Sequence, residues 1–252
     1  MSPKSRAPFV ALATVLRRRY PVLADPGATI ASGQVLVDGA PIANPAARVR
    51  ADESVRILRP QPLRGTVKLQ HALRKLDVDV GGVVALDIGA AAGGFTEALL
   101  QAGATRVYAV DAGVGQLRGW LRADPRVVNL EGTNVGSLGP AIVPESMRLV
   151  TMDLSYLALA DAIPQLDRAL LNPDAQLVAL VKPTYELHSA VLEADPVRVD
   201  EAVARAVGAM ASQGWDVVNW VRSPVTGARG AVEVFVSARL RARTDLPVSG
   251  GS

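Results

Sequence analysis

The stretch from Val83 to Phe95 constrains the fold of this 252-residue chain more than any other part of it. Val83-Val-Ala-Leu-Asp-Ile88 is apolar apart from one aspartate, and has the length and composition of a strand buried on both faces. It runs into Gly89-Ala-Ala-Ala-Gly-Gly94, after which a helix starts near Phe95. A buried strand joined to a helix by a glycine turn is the ligand-binding element of a doubly wound sheet. Gly89, Gly93 and Gly94 let the backbone turn sharply and approach a ligand, at which the opening amides of the helix point. The Gly-x-Gly-x-x-Gly spacing of a dinucleotide fold is not met, since Ala91 stands where its second glycine would. Taken alone, the turn is equally compatible with a purely structural role.

The surrounding pattern supports such a sheet. Strands are expected at Val83–Ile88, Arg106–Asp111, Val127–Leu130, Leu149–Asp153, Gln176–Lys182, Asp216–Val221 and Val232–Ala238, most of them separated by helical stretches. Right-handed crossovers then give an α/β, doubly wound, mostly parallel seven-stranded sheet of Rossmann type, with chemistry at its carboxyl edge. One helix, Lys68 to Leu76, places Leu69, Ala72, Leu73 and Leu76 on a single face and Lys68 in its first turn.

The first 60 residues read differently. A helix is expected over Phe9–Arg19 with Val10, Ala13 and Leu16 on its apolar face. Gly33 ends a second helix, and Val35–Val37 leads through an Asp38-Gly39 hairpin turn into another short strand. Val49, Val55 and Ile57 complete a small α+β unit. This part holds nine Lys or Arg against four acids, a net +5, whereas the rest holds 18 against 20, a net −2. A basic appendage on a near-neutral larger domain suits a polyanion, because neutralised phosphates supply most sequence-independent nucleic-acid affinity. A solvated basic face is the plainer alternative. The division expected is a basic domain at 1–60, a linker at 61–67 announced by Arg59-Pro-Gln-Pro-Leu63, a catalytic domain at 68–240 and a polar tail at 241–252.

Composition removes several classes. The chain has no cysteine and two isolated histidines, so neither disulfides nor a metal site are expected. No apolar run is long enough to span a bilayer, and Met1–Arg6 leads into no signal-type stretch, so a cytoplasmic protein without a membrane role is expected.

Candidate chemistry gathers at the expected strand ends. Val107-Tyr-Ala-Val-Asp111 closes the second strand with a carboxylate some 20 residues beyond the turn, placed to accept hydrogen bonds from ribose hydroxyls. This spacing does not by itself separate adenosylmethionine from a dinucleotide. The methyl donor is preferred because the chain shows no further phosphate-binding feature and is short for a dehydrogenase. Asp153 and Lys182 end adjacent strands at the rim of the crevice. A second cation such as Lys68 nearby makes an ammonium easier to deprotonate, so this pair is a candidate base with its orienting acid, or else a surface ion pair. Glu233 is a polar residue in the apolar run Gly230-Ala-Val-Glu-Val-Phe235, either at an exposed edge or aimed into a site.

At these residues the chain resembles the TlyA, or haemolysin-like, family, which joins a ribosomal protein S-four-type RNA-binding domain to an FtsJ-type methyltransferase domain. The resemblance spans residues 9–240 and rests on Gly33–Gly39, Lys68-Leu69, the Asp87–Thr96 turn, Val110–Leu117, Asp124–Val127, Thr133-Asn134, Asp153–Ser155, Val181–Pro183 and Glu233–Phe235. It implies S-adenosylmethionine-dependent 2′-O-methylation of ribosomal RNA, free or in a ribosomal subunit, by a tetrad of Lys68, Asp153, Lys182 and Glu233. It further implies a cofactor held by Asp87, Gly89, Ala90, Gly93, Gly94, Phe95, Asp111, Asn134 and Asp153, and RNA contacts from Arg17, Arg18, Arg19 and Arg64. Three departures stand out: Leu63-Arg-Gly-Thr66 replaces the usual Ser-Arg-Gly-Gly, Ala91 and Ala92 replace small hydroxyl residues, and Thr184-Tyr185 replaces Gln-Phe. A catalytically weak RNA-binding or ribosome-assembly factor of the same fold is the alternative. The membrane-lytic activity in the family's name is disfavoured, and the oligomeric state is left open.

Overall fold

The computed structural model describes residues 7–21, 23, 25–57, 62–189, 195–227 and 230–241. The leading residues 1–6, the linker positions 58–61 and the tail from 242 lie outside them. The chain divides into two compact units, Met1–Gln61 and Pro62–Ser252.

In the first unit, β1 (Phe9–Ala11), α1 (Leu12–Arg19), α2 (Pro26–Ala31), β2 (Val35–Val37), β3 (Ala40–Ile42), β4 (Arg48–Arg50) and β5 (Val55–Ile57) close over Leu12, Leu16, Ile30, Val35 and Val55. Sheet pairing takes Phe9–Ala11 out of the expected helix: β1 lies antiparallel to β4 with Phe9 opposite Arg50 and Ala11 opposite Arg48. The helix therefore starts at Leu12 and buries Leu12, Val15 and Leu16, an i, i+3, i+4 face shifted from the expected one. Asp25 caps α2 by accepting from the Ala28 amide, with Pro26 at the first helical position. Asp38 and Gly39, both at positive φ, form the tight turn between β2 and β3.

The second unit is a seven-stranded sheet of β6 (Val84–Ile88), β7 (Arg106–Asp111), β8 (Val127–Glu131), β9 (Met147–Met152), β10 (Leu171–Val181), β11 (Trp215–Arg222) and β12 (Val234–Leu240). The order is β11-β12-β10-β9-β6-β7-β8, with β12 antiparallel to both neighbours and the other pairings parallel. This is the doubly wound, mostly parallel sheet that the alternation predicts. Successive residues serve opposite faces: Ala85 joins Leu69, Leu73 and Leu99 from α3 (Arg64–Lys75) and α4 (Gly94–Gln101), while Leu86 and Ile88 join Val199, Ala206 and Met210 from α8 (Pro196–Ser212) on the main core. The short helices α5 (Gly119–Arg122), α6 (Leu159–Ala162) and α7 (Pro183–Glu186) lie at the strand-to-helix connections. Among the described residues, no helix is long and apolar enough to cross a membrane.

Among the boundaries that differ from expectation, two bear on the candidate site. Helix α3 begins at Arg64, inside the stretch expected to be linker, which moves Lys68 into its second turn. The last strand begins at Val234, so Glu233 lies just ahead of it.

The chain order reverses between β9 and β6, whose carboxyl ends flank the crevice. Packing explains the glycines there. A Cβ on Gly89 would lie 2.5 Å from the Asp153 carbonyl oxygen, and one on Gly94 2.7 Å from the Gly65 Cα. Gly93, at φ +95°, would place its Cβ against Leu117 and Leu121. Gly93→Ala is therefore expected to destabilise by about 2–4 kcal/mol, combining left-handed strain with overpacking. Gly208→Ala, in the open middle of α8, is expected to stabilise by about 0.5–1 kcal/mol. Urea unfolding of both variants measures the contrast, and equal effects would sink this account of the turn.

Candidate active site

The turn after β6 is held by backbone bonds. Gly89 and Ala90 amides donate to the Val110 carbonyl, and the Ala91 amide donates to Asp111 Oδ2 at 2.8 Å. Ala91 adopts φ +45° and is solvent-exposed, so one left-handed step of the turn, between those at Gly89 and Gly93, falls on an alanine. Asp111 Oδ1 accepts from the Gly113 amide at 2.7 Å, so one carboxylate joins the turn to the loop following β7. Glu131, opposite Asp111 in the β7–β8 register, fixes the rest of that loop. It accepts from the Gln116 and Leu117 amides and from Arg122 and Asn129, and the Asn129 and backbone bonds hold its carboxyl down at about 2.

Register brings the remaining candidates together. Val181 pairs with Val234, so the next residues, Lys182 and Glu233, emerge side by side from β10 and β12. Asp153 follows the end of β9, with its amide donating to the Ile88 carbonyl at the base of the glycine turn. Lys182 Nζ lies 2.6 Å from Asp153 Oδ1 and donates to Ser155 Oγ at 2.7 Å. The contact with Asp153 is Coulombic rather than a well-aligned hydrogen bond, since Oδ1 is buried and accepts no such bond among the described residues. The Tyr185 ring centroid is 5.9 Å from the same ammonium.

On the other side, Lys68 Nζ donates to Glu233 Oε2 at 2.5 Å, with the two side chains 9% and 6% exposed. Glu233 Oε1 is covered by Gly227, where a Cβ would sit 2.3 Å away. Helix α3 is set against α4 by the Gly65–Gly94 contact and by the buried Thr66 hydroxyl, which lies near the Gly94 carbonyl and Glu97. Desolvating two charges costs more than a typical ion pair returns, so burial at this level marks a site rather than a stabilising device.

Of the expected residues, Asp153, Lys182 and Glu233 meet at neighbouring strand ends, and Lys68 is bound to Glu233. Gly89 follows the end of β6 and Asp111 ends β7, and the exposed Asn134 follows Thr133, whose amide donates to the Asp111 carbonyl. Ala90, Gly93, Gly94 and Phe95 are buried, Phe95 against Phe235 with centroids 5.8 Å apart; they shape the turn from behind and leave its outer edge to Gly89 and Ala91. Asp87 is also beneath the turn, fully buried, accepting from Thr96 at 2.6 Å and Thr151 at 2.9 Å. Arg17, Arg18 and Arg19 are exposed on the last turn of α1, and Arg18 and Arg19 line a cavity of about 410 Å³ with Thr14 and Ala51. Arg64 donates to the Thr226 carbonyl. Sequence reasoning missed Ser155, Tyr185, Glu131 and Glu186. Ser155 and Tyr185 had a signal, standing two residues beyond Asp153 and three beyond Lys182; Glu131 and Glu186 depend on contacts between separate segments.

Comparison with known proteins agrees with this fold. The profile of the FtsJ-like methyltransferases matches residues 62–240. The chain is 39% identical over 229 residues to the 16S/23S rRNA (cytidine-2′-O)-methyltransferase TlyA of Mycobacterium tuberculosis, covering 87% of this chain and 84% of that one. It is 29% identical over 213 residues to Hemolysin A of Brachyspira hyodysenteriae, covering 81% and 88%. A solved structure of a hemolysin-named protein from Streptococcus thermophilus superposes with a TM-score of 0.68 at 26% identity, over 96% of this chain and 93% of that one.

The buried Asp87 has a measurable consequence. Burial pushes its carboxyl up to about 6, and the two threonine hydroxyls offset only part of that. The folded protein therefore keeps this proton to higher pH than the unfolded chain, and the stability it contributes at low pH is lost as pH rises from about 4 through 6. Relative to wild type, Asp87→Asn should gain up to about 3 kcal/mol between pH 4 and pH 7.5 in urea unfolding. A difference that does not change with pH would show that Asp87 does not titrate there.

Proposed function

The chain belongs to the FtsJ-like methyltransferase family, and on that premise we propose that it methylates a ribose 2′-hydroxyl of ribosomal RNA, using S-adenosylmethionine. The observation that carries the reading is the buried Lys68–Glu233 ion pair together with the partly buried Lys182–Asp153 pair, beside the glycine turn. RNA as substrate would place its work in the cytoplasm, on ribosomal RNA or a ribosomal subunit.

The residues present fit the cofactor. The outer edge of the turn at Gly89 and Ala91, the Asp111 carboxylate and Asn134 offer backbone and side-chain polar groups to an adenosine, and Asp111 with Asp153 offers negative charge to a sulfonium. When bound, adenosylmethionine supplies an already activated methyl group. What is left to the protein is mostly positioning and the fate of one proton. Lys182 Nζ helps remove the proton of the 2′-hydroxyl as that oxygen bonds to the methyl carbon and the carbon–sulfur bond breaks, its electron pair staying with the sulfur. Asp153 and Ser155 fix the amine, and afterwards Asp153 balances the resulting ammonium. Lys68 and Glu233 hold the floor of the site and keep water out. Arg17, Arg18 and Arg19, with Arg64, supply cations for the RNA backbone.

Two experiments test this. Lys182→Ala should lower methyl transfer from labelled adenosylmethionine to ribosomal subunits about 100-fold or more while cofactor binding persists, and mass mapping should find the product on a ribose. Undiminished transfer in that variant, or a methyl group on a base, would overturn the assignment. Replacing Arg17, Arg18 and Arg19 together by Ala should weaken RNA binding across sequences and flatten the slope of log K against log salt by roughly 2–3. An unchanged slope would remove these arginines from the RNA interface.

A further inference from the structure

Lys182 is the last residue before α7, whose Tyr185 and Glu186 amides both donate to the Lys182 carbonyl. The direction in which the lysine leaves the sheet is thus tied to that single helical turn. The turn is in turn fastened by Glu186, which is 1% exposed. Its Oε1 accepts from the Leu159 amide at 2.5 Å and Oε2 lies 3.4 Å from the Ala160 amide, the first two residues of α6. Helix α6 ends the segment that begins at Asp153 and carries Ser155. Burial pushes the Glu186 carboxyl up, and the two α6 amides and Arg205 work against that rise. A carboxylate placed so expensively does more than cap a four-residue helix.

The contacts form a closed loop. Lys182 reaches Asp153 and Ser155 through its ammonium, the chain continues from Ser155 to Leu159, and Glu186 returns from Leu159 to the turn that orients Lys182. We propose that Glu186 is a positioning residue for methyl transfer, holding the Lys182 turn against the Asp153–Ser155 segment so that Nζ stays aligned with both. This rests on the reading of Lys182 as the group that takes the hydroxyl proton. Glu186 itself touches no reacting atom.

Glu186→Ala removes both acceptors, and Glu186→Gln keeps one oxygen able to accept from Leu159. With enzyme concentration set by adenosylmethionine-binding stoichiometry, kcat should fall about 10–100-fold in the alanine variant and recover in part in the glutamine variant, with cofactor Kd within about twofold of wild type. A second readout is independent of methyl transfer: acylation of lysines by a limiting amine reagent, followed by peptide mass spectrometry. Lys182 should become several-fold more reactive relative to the exposed Lys75 in the alanine variant, and less so in the glutamine variant. If kcat per cofactor site and Lys182 reactivity both stay at wild-type values while only the melting temperature drops, Glu186 is structural and the proposal is overturned. If the wild type transfers no methyl group to RNA, the proposed function fails, and the labelling still decides whether Glu186 positions Lys182. Should Glu186→Ala not fold, Glu186→Gln decides by the same two readouts.

Discussion

Lys68 and Glu233 are 165 residues apart in sequence and meet as a nearly solvent-free ion pair. Neither charge is tolerable there alone, because a buried charge that loses its partner costs about 3–5 kcal/mol. The pair therefore requires that α3, at one end of the second unit, and β12, at the other, both be in place before either residue can be buried. Other contacts enforce the same condition. Glycines 65 and 94 let α3 lie directly on the first residue of α4, Thr66 bonds across that joint, and Gly227 closes over the far oxygen of Glu233. Gly65, Gly94, Thr66 and Gly227 thus help to bring two charges together in a dry place, with a second pair half open at the neighbouring strand ends.

Alternation of strand-like and helix-like segments was enough to read the sheet, since strands buried on both faces are continuous apolar runs. Asp111, Asp153 and Lys182 were legible because the carboxyl end of a parallel strand is where such a fold presents its chemistry, and each closes a run that could be recognised. Glu233 was visible as an anomaly, and its direction was not. Only the packing of α3 across the sheet face shows that it turns inward, and packing between segments so far apart has no local signature. Phe9–Ala11 failed for the same reason: three residues of helical periodicity were outweighed by a strand partner some 40 residues away.

The glycine turn shows how a correct motif can be read for an incomplete reason. Glycines in such a turn are expected to admit a ligand. Here Gly93 and Gly94 are buried and exclude side chains from two helix contacts, with Leu121 and with Gly65. Gly89 makes room for the Asp153 carbonyl, which sets the distance between the turn and the end of β9. The edge left open to solvent belongs to Ala91, one of the residues by which the chain departs from its resembling family, and it carries the left-handed backbone that glycine would adopt freely. Its strain is offset by the bond from its amide to Asp111. The same contact couples the shape of the turn to the carboxylate at the end of β7.

Four carboxylates near these strand ends are treated in four ways, and their partners explain the differences. Asp87 receives two hydroxyl bonds and, among the described residues, no cation, so burial dominates and its proton is retained to about pH 6. Glu131 receives amides, an arginine and an asparagine, and remains charged to about pH 2. Glu186 receives helix amides that only partly offset its burial. Asp153 faces the Lys182 ammonium across 2.6 Å and balances its charge at the strand end, while Ser155 accepts a hydrogen bond from the same group. Lys182 is thereby held from two sides, by a carboxylate and by a hydroxyl that stand two residues apart on one segment.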